Sequence, residues 1–157
     1  MPASSYRLEE LLPHRPPMVL IDEVVAYDAA ARQLTTAVTI REEWSENYVA
    51  IEFMAQTAAA LAGIFDRERN PDHPARPGFL LGTRKLALAL AHFEVGRRYL
   101  ITATDEFSDD ETASFRCEIA DADGRIVATS MLNAYRPDDL KSFLQTQRGT
   151  PGDRPRA

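Results

Sequence analysis

The hydrophobic pattern divides this chain into six strand-like stretches and one long apolar stretch that is typical of a buried helix. Alternating apolar and polar residues, or runs rich in Val, Ile and Leu, predict the strands. The predicted strands cover residues 18–27, 34–40, 79–90, 99–107, 114–120 and 126–135. The segment DADG separates the last two and ends in glycine, which indicates a hairpin turn.

The predicted helix includes residues 49–65, VAIEFMAQTAAALAGIF, and begins between Ser45 and Tyr48. Those seventeen residues contain a single charge, Glu52, and a single amide, Gln56. Residues four apart share one face of a helix, so these two side chains are neighbours. The other positions are mostly alanine or larger apolar residues, and we expect the helix to be buried on nearly all sides.

Glu52 is the candidate for chemistry in this helix. An ionised carboxylate among apolar side chains is unfavourable unless it is paired or used, and buried acids are often found at functional sites. The alternative is an acid near the helix start that only favours the positive end of the helix dipole. For Gln56 we expect a structural role, in which it anchors the helix or the Glu52 side chain.

Shorter signals mark the rest of the chain. Ser5 is placed to cap a short helix that Pro13 ends, and Pro137 opens a second short helix. Three prolines make residues 70–78 a loop. We expect one domain over residues 1–145 and a loose tail over residues 146–157.

The composition argues against several classes of function. A formal net charge of −6 and a pI near 5.1 leave no basic face for nucleic acid. The scattered histidines lack the spacing of a metal site, and there is no glycine-rich phosphate loop. We therefore expect neither a metal nor a cofactor. His73, in the proline-rich loop, and His92, near a strand end, are expected to be solvated.

The cellular location is expected to be the cytoplasm. The single cysteine, Cys117, excludes an intrachain disulfide, and its place in a strand alternation predicts a buried structural thiol. The N-terminus lacks the basic and apolar segments of a signal peptide. Residues 49–65 fall short of the roughly 20 residues that a membrane span needs.

Six strands with one long helix after the second predict an α+β fold. Most connections between strands are too short for crossovers, so the sheet must be largely antiparallel. One curved sheet can cover part of an apolar helix, and a second subunit would cover the rest.

Three segments resemble the β-hydroxyacyl-acyl-carrier-protein dehydratases of fatty-acid synthesis. Residues 11–25, LLPHRPPMVLIDEVV, are similar to the opening motif of that family, and residues 51–63, IEFMAQTAAALAG, to its central-helix motif. Residues 78–96, GFLLGTRKLALALAHFEVG, are similar to the strand that follows. The likeness covers roughly residues 6–135. It is strongest to a divergent branch associated with aryl-polyene gene clusters, in which Pro-His-x-x-Pro-Met and Leu-Leu-Gly are usual.

This resemblance implies the hotdog fold, a curled antiparallel sheet wrapped around one long central helix. It also implies a dimer, either a homodimer or a dimer with a related hotdog subunit. The helix acid, Glu52 here, would be catalytic, and the substrate would arrive on the phosphopantetheine of an acyl carrier protein.

One feature of the family is missing. Its dehydratases carry Gly-His-Phe-Pro just before the central helix, whereas residues 39–49 here, TIREEWSENYV, contain neither histidine nor glycine. Either His14 is the basic partner of Glu52, reaching it across a dimer interface, or the site lacks its base. The alternative role for His14 is structural, with the imidazole bonded to its own loop.

Dehydration of a 3-hydroxyacyl thioester needs a base for the C2 proton, an acid for the departing hydroxyl and donors for the thioester oxygen. Histidine suits the base, and a carboxyl group kept protonated by burial suits the acid. We therefore assign these roles to His14 and Glu52. Backbone N–H groups at a helix start suit the oxygen, here those of Val49 and Ala50.

Two basic pairs, Arg84 with Lys85 and Arg97 with Arg98, are candidates for carrier-protein docking. Each pair follows a glycine. If both lie at neighbouring strand ends, they would frame the mouth of one cavity and attract an acidic carrier locally. The alternative is that both are ordinary solvated turns.

Three functions remain open on the sequence alone. The leading one is a dehydratase that forms trans-2-enoyl thioesters in fatty-acid or polyene-type biosynthesis. The second is a hotdog thioesterase, which can use a helix carboxylate to activate water. The third is a non-catalytic, acyl-binding partner subunit of another dehydratase.

Overall fold

The computed structural model describes residues 5–72, 74–137 and 140–148. Three helices are α1 (Leu8–Leu11), α2 (Ala50–Arg69) and α3 (Leu140–Gln147). The strands are β1 (Glu23–Asp28), β2 (Gln33–Thr39), β3 (Phe79–Leu88), β4 (Arg98–Ser108), β5 (Thr112–Ala120) and β6 (Ile126–Tyr135). Of the predicted tail, residues 146–148 complete α3 and its last turn, and the remainder lies outside the described residues.

All six strands form one antiparallel sheet in the order β1-β2-β4-β5-β6-β3. The predicted hairpin between β5 and β6 is present, and Gly124 adopts the left-handed conformation that its turn requires (φ 81°). Strands β1 and β3 are the two edges. The predicted α+β architecture, a sheet around one long helix, is confirmed.

The sheet covers one side of α2. Inward-facing residues of β4 alternate with outward ones, and Ile101 and Ala103 are fully buried against the helix. From α2, Phe53, Met54 and Leu61 point into this core and are also fully buried. Burial of these apolar side chains is the main stabilising contribution to the fold.

The apolar character of α2 serves the core of the subunit. The segment Asn47–Arg69, which includes a 3₁₀ turn before the helix, has 23 residues, and its most apolar 18-residue window has a mean hydropathy of 1.4. It is therefore long and apolar enough to cross a membrane, and the prediction that the helix is too short is wrong. Within its most apolar window, 61% of the residues are buried inside the subunit, as in the core helix of a globular domain.

The start of the chain departs from the predicted pattern. Strand β1 begins at Glu23, and residues 18–22 form a loop that crosses α2. Ser5 is not a helix cap, because α1 begins after Arg7 and has no side-chain cap. This helix packs closely on α2 at Gly63, where a Cβ would lie 2.4 Å from the carbonyl oxygen of Leu11. Because glycine has no side chain, α1 can lie this close to α2, and the loop that follows α1 comes to lie against α2.

Candidate active site

His14 and Glu52 meet at one end of a groove on α2. Nε2 of His14 lies 3.9 Å from Oε1 of Glu52, and both residues belong to the same chain. Contact across a dimer interface is therefore not needed to bring them together. The 3.9 Å separation is an ion-pair distance and exceeds that of a hydrogen bond.

The two side chains are open to solvent in the single subunit. His14 is 31% exposed and Glu52 is 43% exposed, so the expected burial of the carboxyl group is not found in one chain alone. Glu52 occupies the first turn of α2, where the positive end of the helix dipole favours a carboxylate. Glu52 thus lies beside a candidate basic partner and also at a helix position that favours an acid. The functional interpretation and the helix-dipole interpretation of this residue each describe part of its environment.

Gln56 links Glu52 to the loop that follows His14. Its Nε2 donates to Oε1 of Glu52 (2.9 Å) and to the carbonyl oxygen of Met18 (2.7 Å). Its Oε1 accepts a hydrogen bond from the backbone N–H of Leu20 (2.9 Å). Gln56 is fully buried, and its bond to the backbone of Leu20 is buried as well. The amide thus holds both the helix acid and the loop, the two anchoring roles considered for it.

The side chain of Arg15 holds the loop around His14. The Arg15 guanidinium donates to the carbonyl oxygens of Leu12 (2.9 Å) and His14 (2.8 Å) and so closes the end of α1. Nδ1 of His14 is buried and has no hydrogen-bond partner among the described residues. The nitrogen that faces Glu52 is Nε2, and this is the atom available for proton transfer.

The groove continues from this pair along α2 and has a volume of about 210 Å³. Small side chains form its helical wall, namely Ala55, Ala58, Ala59 and Ala62. The facing wall is contributed by β3, β5 and β6, with Phe115 and Leu132 at its centre. An apolar groove with a histidine and a carboxyl group at its head can hold an acyl chain next to a proton-transfer pair.

The backbone donors predicted for the thioester oxygen are already used. The N–H of Val49 donates to the carbonyl oxygen of Glu46 (3.2 Å). The N–H of Ala50 donates to the carbonyl oxygens of Asn47 and Tyr48. Neither group is free, because the 3₁₀ turn before α2 satisfies both, and this prediction is wrong.

The two basic pairs do not share one cavity mouth. Arg84 and Lys85 lie in the middle of the edge strand β3, and the register through β6 and β5 places Arg84 level with Thr104 of β4. Arg97 and Arg98 lie at the start of β4, six residues away, which corresponds to roughly 20 Å along the strand. The predicted joint docking surface is therefore not formed.

The second pair is also engaged within the chain. Arg97 contacts Glu94 and Asp123, each at 3.0 Å, and Arg98 pairs with Glu23. Arg84 and Lys85 are exposed and have no ion-pair partner among the described residues. Only Arg84 and Lys85 remain candidates for carrier-protein docking.

His92 and Cys117 lie apart from the groove. His92 is 65% exposed and sits 3.5 Å from Glu46, and His73 lies outside the described residues. Cys117 is fully buried, and burial raises the pKa of its thiol to about 12, which fits the predicted structural role. In the described ranges there is no group of three or more His, Cys, Asp or Glu side chains that could hold a metal ion.

The far end of the groove was not anticipated from the sequence. There Arg76 and Arg136 line the groove, and both donate hydrogen bonds to the buried Asp66 of α2 (3.2 Å from Arg76), which does not itself line the groove. Burial raises the pKa of Asp66, but the hydrogen bonds and charges of the two arginines outweigh it and hold that pKa below its usual value. An acid inside an apolar helix was a visible signal, but its partner lies seventy residues further along the chain.

Comparisons with known proteins identify related sequences and folds. A 91-residue segment is 34% identical to the 3-hydroxyacyl-acyl-carrier-protein dehydratase FabZ of Chlamydia pneumoniae, and covers 50% of this chain and 57% of that protein. The chain thus spans little more than half the length of this curated relative.

Solved structures share the fold. The dehydratase heterocomplex ApeI:P from Xenorhabdus doucetiae matches with a TM-score of 0.78 and 24% identity, covering 90% of this chain and 97% of the matched one. A hypothetical thioesterase with coenzyme A from Streptococcus pneumoniae TIGR4 matches with a TM-score of 0.54 and 10% identity, covering 73% and 84%. Both likenesses establish the hotdog fold.

The profile of one family extends over nearly the whole domain. The ApeP dehydratase profile matches residues 6–145, which include α1, the His14 loop, the central helix and all six strands. On this match, the chain belongs to the ApeP dehydratase family.

Proposed function

We propose that this chain dehydrates 3-hydroxyacyl thioesters carried on the phosphopantetheine of an acyl carrier protein. The observation that carries the proposal is the approach of His14 Nε2 to within 3.9 Å of Glu52 Oε1 at the head of an apolar groove. The groove takes the acyl chain, and its open head faces the side from which a carrier-bound thioester enters.

The two side chains divide the proton transfers. Nε2 of His14 removes the C2 proton, and the electron pair of that C–H bond becomes the C2=C3 double bond. The C3–O bond breaks as the protonated Glu52 carboxyl gives its proton to the departing hydroxyl, which leaves as water. The products are a trans-2-enoyl thioester, an imidazolium and a carboxylate, and one proton returned from imidazolium to carboxylate restores the site.

Gln56 positions this pair through its hydrogen bonds to Glu52 and to the loop. Because it binds both Glu52 and the backbone of the loop at Met18 and Leu20, it fixes the helix acid relative to the segment that carries His14. The chemistry needs no cofactor, since a histidine and a carboxyl group supply both proton transfers.

We propose further that a second hotdog subunit covers the open head of the groove, either another copy of this chain or a related subunit. Strand β3 is a sheet edge that carries the exposed side chains Leu80, Leu81 and Leu86. Such an edge is normally protected by pairing. The structurally similar ApeI:P assembly is a heterocomplex, which supports the second of these arrangements.

The carrier protein approaches on the side of Arg84 and Lys85, whose charges are exposed. Long-range attraction is absent because this chain carries a net charge of −6. We assign the activity to the cytoplasm, which suits the unpaired Cys117 thiol.

Product analysis of the purified chain, alone and together with a related hotdog subunit, tests the proposal. A 3-hydroxyacyl thioester of a carrier protein is incubated with the wild-type chain and with Glu52→Gln, and the carrier is examined by mass spectrometry. Loss of water with formation of a double bond, in the wild type alone, supports dehydration. Release of a free carrier thiol indicates a thioesterase, and an unchanged substrate that still binds indicates a non-catalytic partner subunit. Either of these last two results overturns the proposal.

A further inference from the structure

The imidazole of His14 lacks the support that a proton-transferring histidine usually has. In such a histidine the second ring nitrogen is commonly bonded to a carboxylate or to a backbone carbonyl, and that bond fixes the orientation of the ring. Nδ1 of His14 is buried and has no hydrogen-bond partner among the described residues. The direction of Nε2 therefore depends on packing and on the backbone that carries the side chain.

The segment that carries His14 is a loop between two buried residues. The chain leaves α1 at Leu12, which is fully buried, and returns to the core at Leu20, which is 2% exposed. Residues 15–18 of this loop are exposed and gain little order from packing. The buried ends limit the path of the loop, but a further contact is needed to fix the backbone at His14.

Arg15 supplies this contact. Its Nη1 atom donates to the carbonyl oxygen of Leu12 (2.9 Å) and to that of His14 (2.8 Å). These two carbonyl groups flank residues 13 and 14, so one nitrogen holds the backbone on both sides of the His14 side chain. Within the ranges that the structure describes, the His14 backbone makes no other hydrogen bond.

The guanidinium of Arg15 has no other visible task. Among the described residues it has no ion-pair partner, and it does not line the groove. Because the side chain is exposed, its hydrogen bonds compete with water and add little to the free energy of unfolding. Control of the local backbone accounts for its two bonds better than a contribution to overall stability does.

We propose that Arg15 is a positioning residue, which holds the backbone of His14 so that Nε2 stays directed at Glu52. The inference rests on the proposed function, because it takes His14 as the base. Gln56 fixes Glu52 and the later part of the same loop, whereas Arg15 fixes the part that carries the imidazole. Misplacement of a reacting group by about 1 Å has a large effect on rate, so loss of the Arg15 bonds should slow the chemical step.

Kinetics of two variants test the assignment. Arg15→Met removes every donor, and kcat should fall by about 10-fold while KM stays within about 2-fold, on a carrier-bound substrate and on a short pantetheine mimic alike. Arg15→Lys keeps the charge and the donors on a shorter side chain and should recover part of the loss. Arg7→Met is the control, because Arg7 is also exposed, pairs with Glu9 at the start of α1, and removes the same charge. It should leave kcat unchanged.

Two further readouts separate positioning from a general structural role. Because Arg15 acts only through the imidazole, adding Arg15→Met to His14→Asn should cause no further loss of kcat. NMR signals of the His14 imidazole should shift and broaden in Arg15→Met as the ring samples more than one position. The signals of His92, which is 65% exposed and lies away from the groove, should not change.

The outcomes separate the inference from the proposed function. An unchanged kcat in Arg15→Met, or an equal loss in the His14→Asn background, overturns the positioning role and leaves dehydration standing. A rise in KM confined to the carrier-bound substrate overturns it in favour of carrier docking. A wild type that forms no enoyl product overturns the proposed function. In that case the NMR comparison still decides, since altered His14 signals support positioning by Arg15 and unaltered ones overturn it.

Discussion

The two ends of the groove are built in opposite ways. At the head, His14 and Glu52 approach to 3.9 Å, and their side chains are 31% and 43% exposed. At the far end, the Asp66 side chain is 7% exposed and binds Arg76, ten residues further along the chain, and Arg136, seventy residues further along. The two candidate reacting groups are therefore exposed and not in hydrogen-bond contact in one chain, whereas the charged groups at the far end are paired and mostly buried.

This difference indicates which part of the site is complete in a single chain. The far end needs nothing further, because its charges are paired within the chain. The head is open to solvent, and Nε2 of His14 and Oε1 of Glu52 are farther apart than a hydrogen bond. Catalytic contacts often tighten only when substrate is bound, and exclusion of water strengthens each electrostatic interaction. We expect the substrate and a second subunit to supply both changes at the head.

The largest effect is expected from Glu52→Gln, which removes the titratable group at the head and keeps the shape. Turnover should fall by about 10²-fold or more, the usual scale for loss of an acid–base group. Steady-state kinetics measures the loss, and circular dichroism checks the fold. Glu68→Gln, on the same helix but exposed and outside the groove, should keep its turnover. Near-normal activity in Glu52→Gln would show that the head is not the reactive end.

Asp66→Asn tests the fixed end through stability. It leaves Arg76 and Arg136 without their carboxylate, and we expect the free energy of unfolding to fall by about 2 kcal/mol, less than for a fully buried pair because both arginines are partly exposed. Urea unfolding at neutral pH measures the change. An unaltered midpoint would mean that the far end is not the rigid part of the groove.

The pH dependence of stability provides a second test of the Asp66 ion pairs, because the direction of the change is predicted. The pKa of Asp66 is lowered in the folded chain, so the unfolded state binds more protons over the window between the two values. This contribution is fully present above the unfolded value, near ~3.9, and is lost as pH falls through the lowered folded pKa. Asp66→Asn should therefore flatten the acid limb of the stability curve.

Gln56→Leu addresses the link between the loop and the helix acid. The variant leaves the N–H of Leu20 and the carbonyl of Met18 without their partner, and it frees the Glu52 side chain. We expect kcat to fall by about 10-fold, because small misplacements of reacting groups have large effects on rate. A larger change in KM than in kcat would instead assign Gln56 to substrate binding.

Charge reversal of Arg84 and Lys85 should have the smallest effect. A loss of a few-fold in kcat/KM is expected for a carrier-bound substrate, with no change for a short pantetheine mimic, because rim charges act mainly on association. The double variant Arg97→Glu, Arg98→Glu is the control, since those arginines are already paired. Equal losses on both substrates would remove the docking role from Arg84 and Lys85.

Local patterns in the sequence predicted most of the fold. The strand Ile126–Tyr135 was predicted at its observed bounds, and the hairpin before it was marked by glycine. Residues 18–22 were predicted as strand because they are apolar, but the buried amide of Gln56 takes the backbone groups that a neighbouring strand would need. A side chain thirty-six residues away decided this segment, and no local pattern contains that information.

The site was predictable only where its contacts are local in the sequence. Glu52 and Gln56 are neighbours by helical spacing, so their contact follows from the sequence. The position of His14 depends on how closely α1 packs at Gly63, and the far end depends on Arg136 meeting Asp66. The prediction that the N–H groups of Val49 and Ala50 bind the thioester oxygen failed because a 3₁₀ turn precedes the helix and satisfies both groups.

A double-mutant cycle on the head of the groove tests the central claim most directly. The values of kcat/KM for Glu52→Gln, His14→Asn and the double variant are compared on a 3-hydroxyacyl carrier substrate. If the two residues act as one proton-transfer pair, each single variant loses about 10²-fold or more, and the double variant is no worse than the poorer single one. Normal turnover in His14→Asn, or losses that multiply in the double variant, would contradict the account.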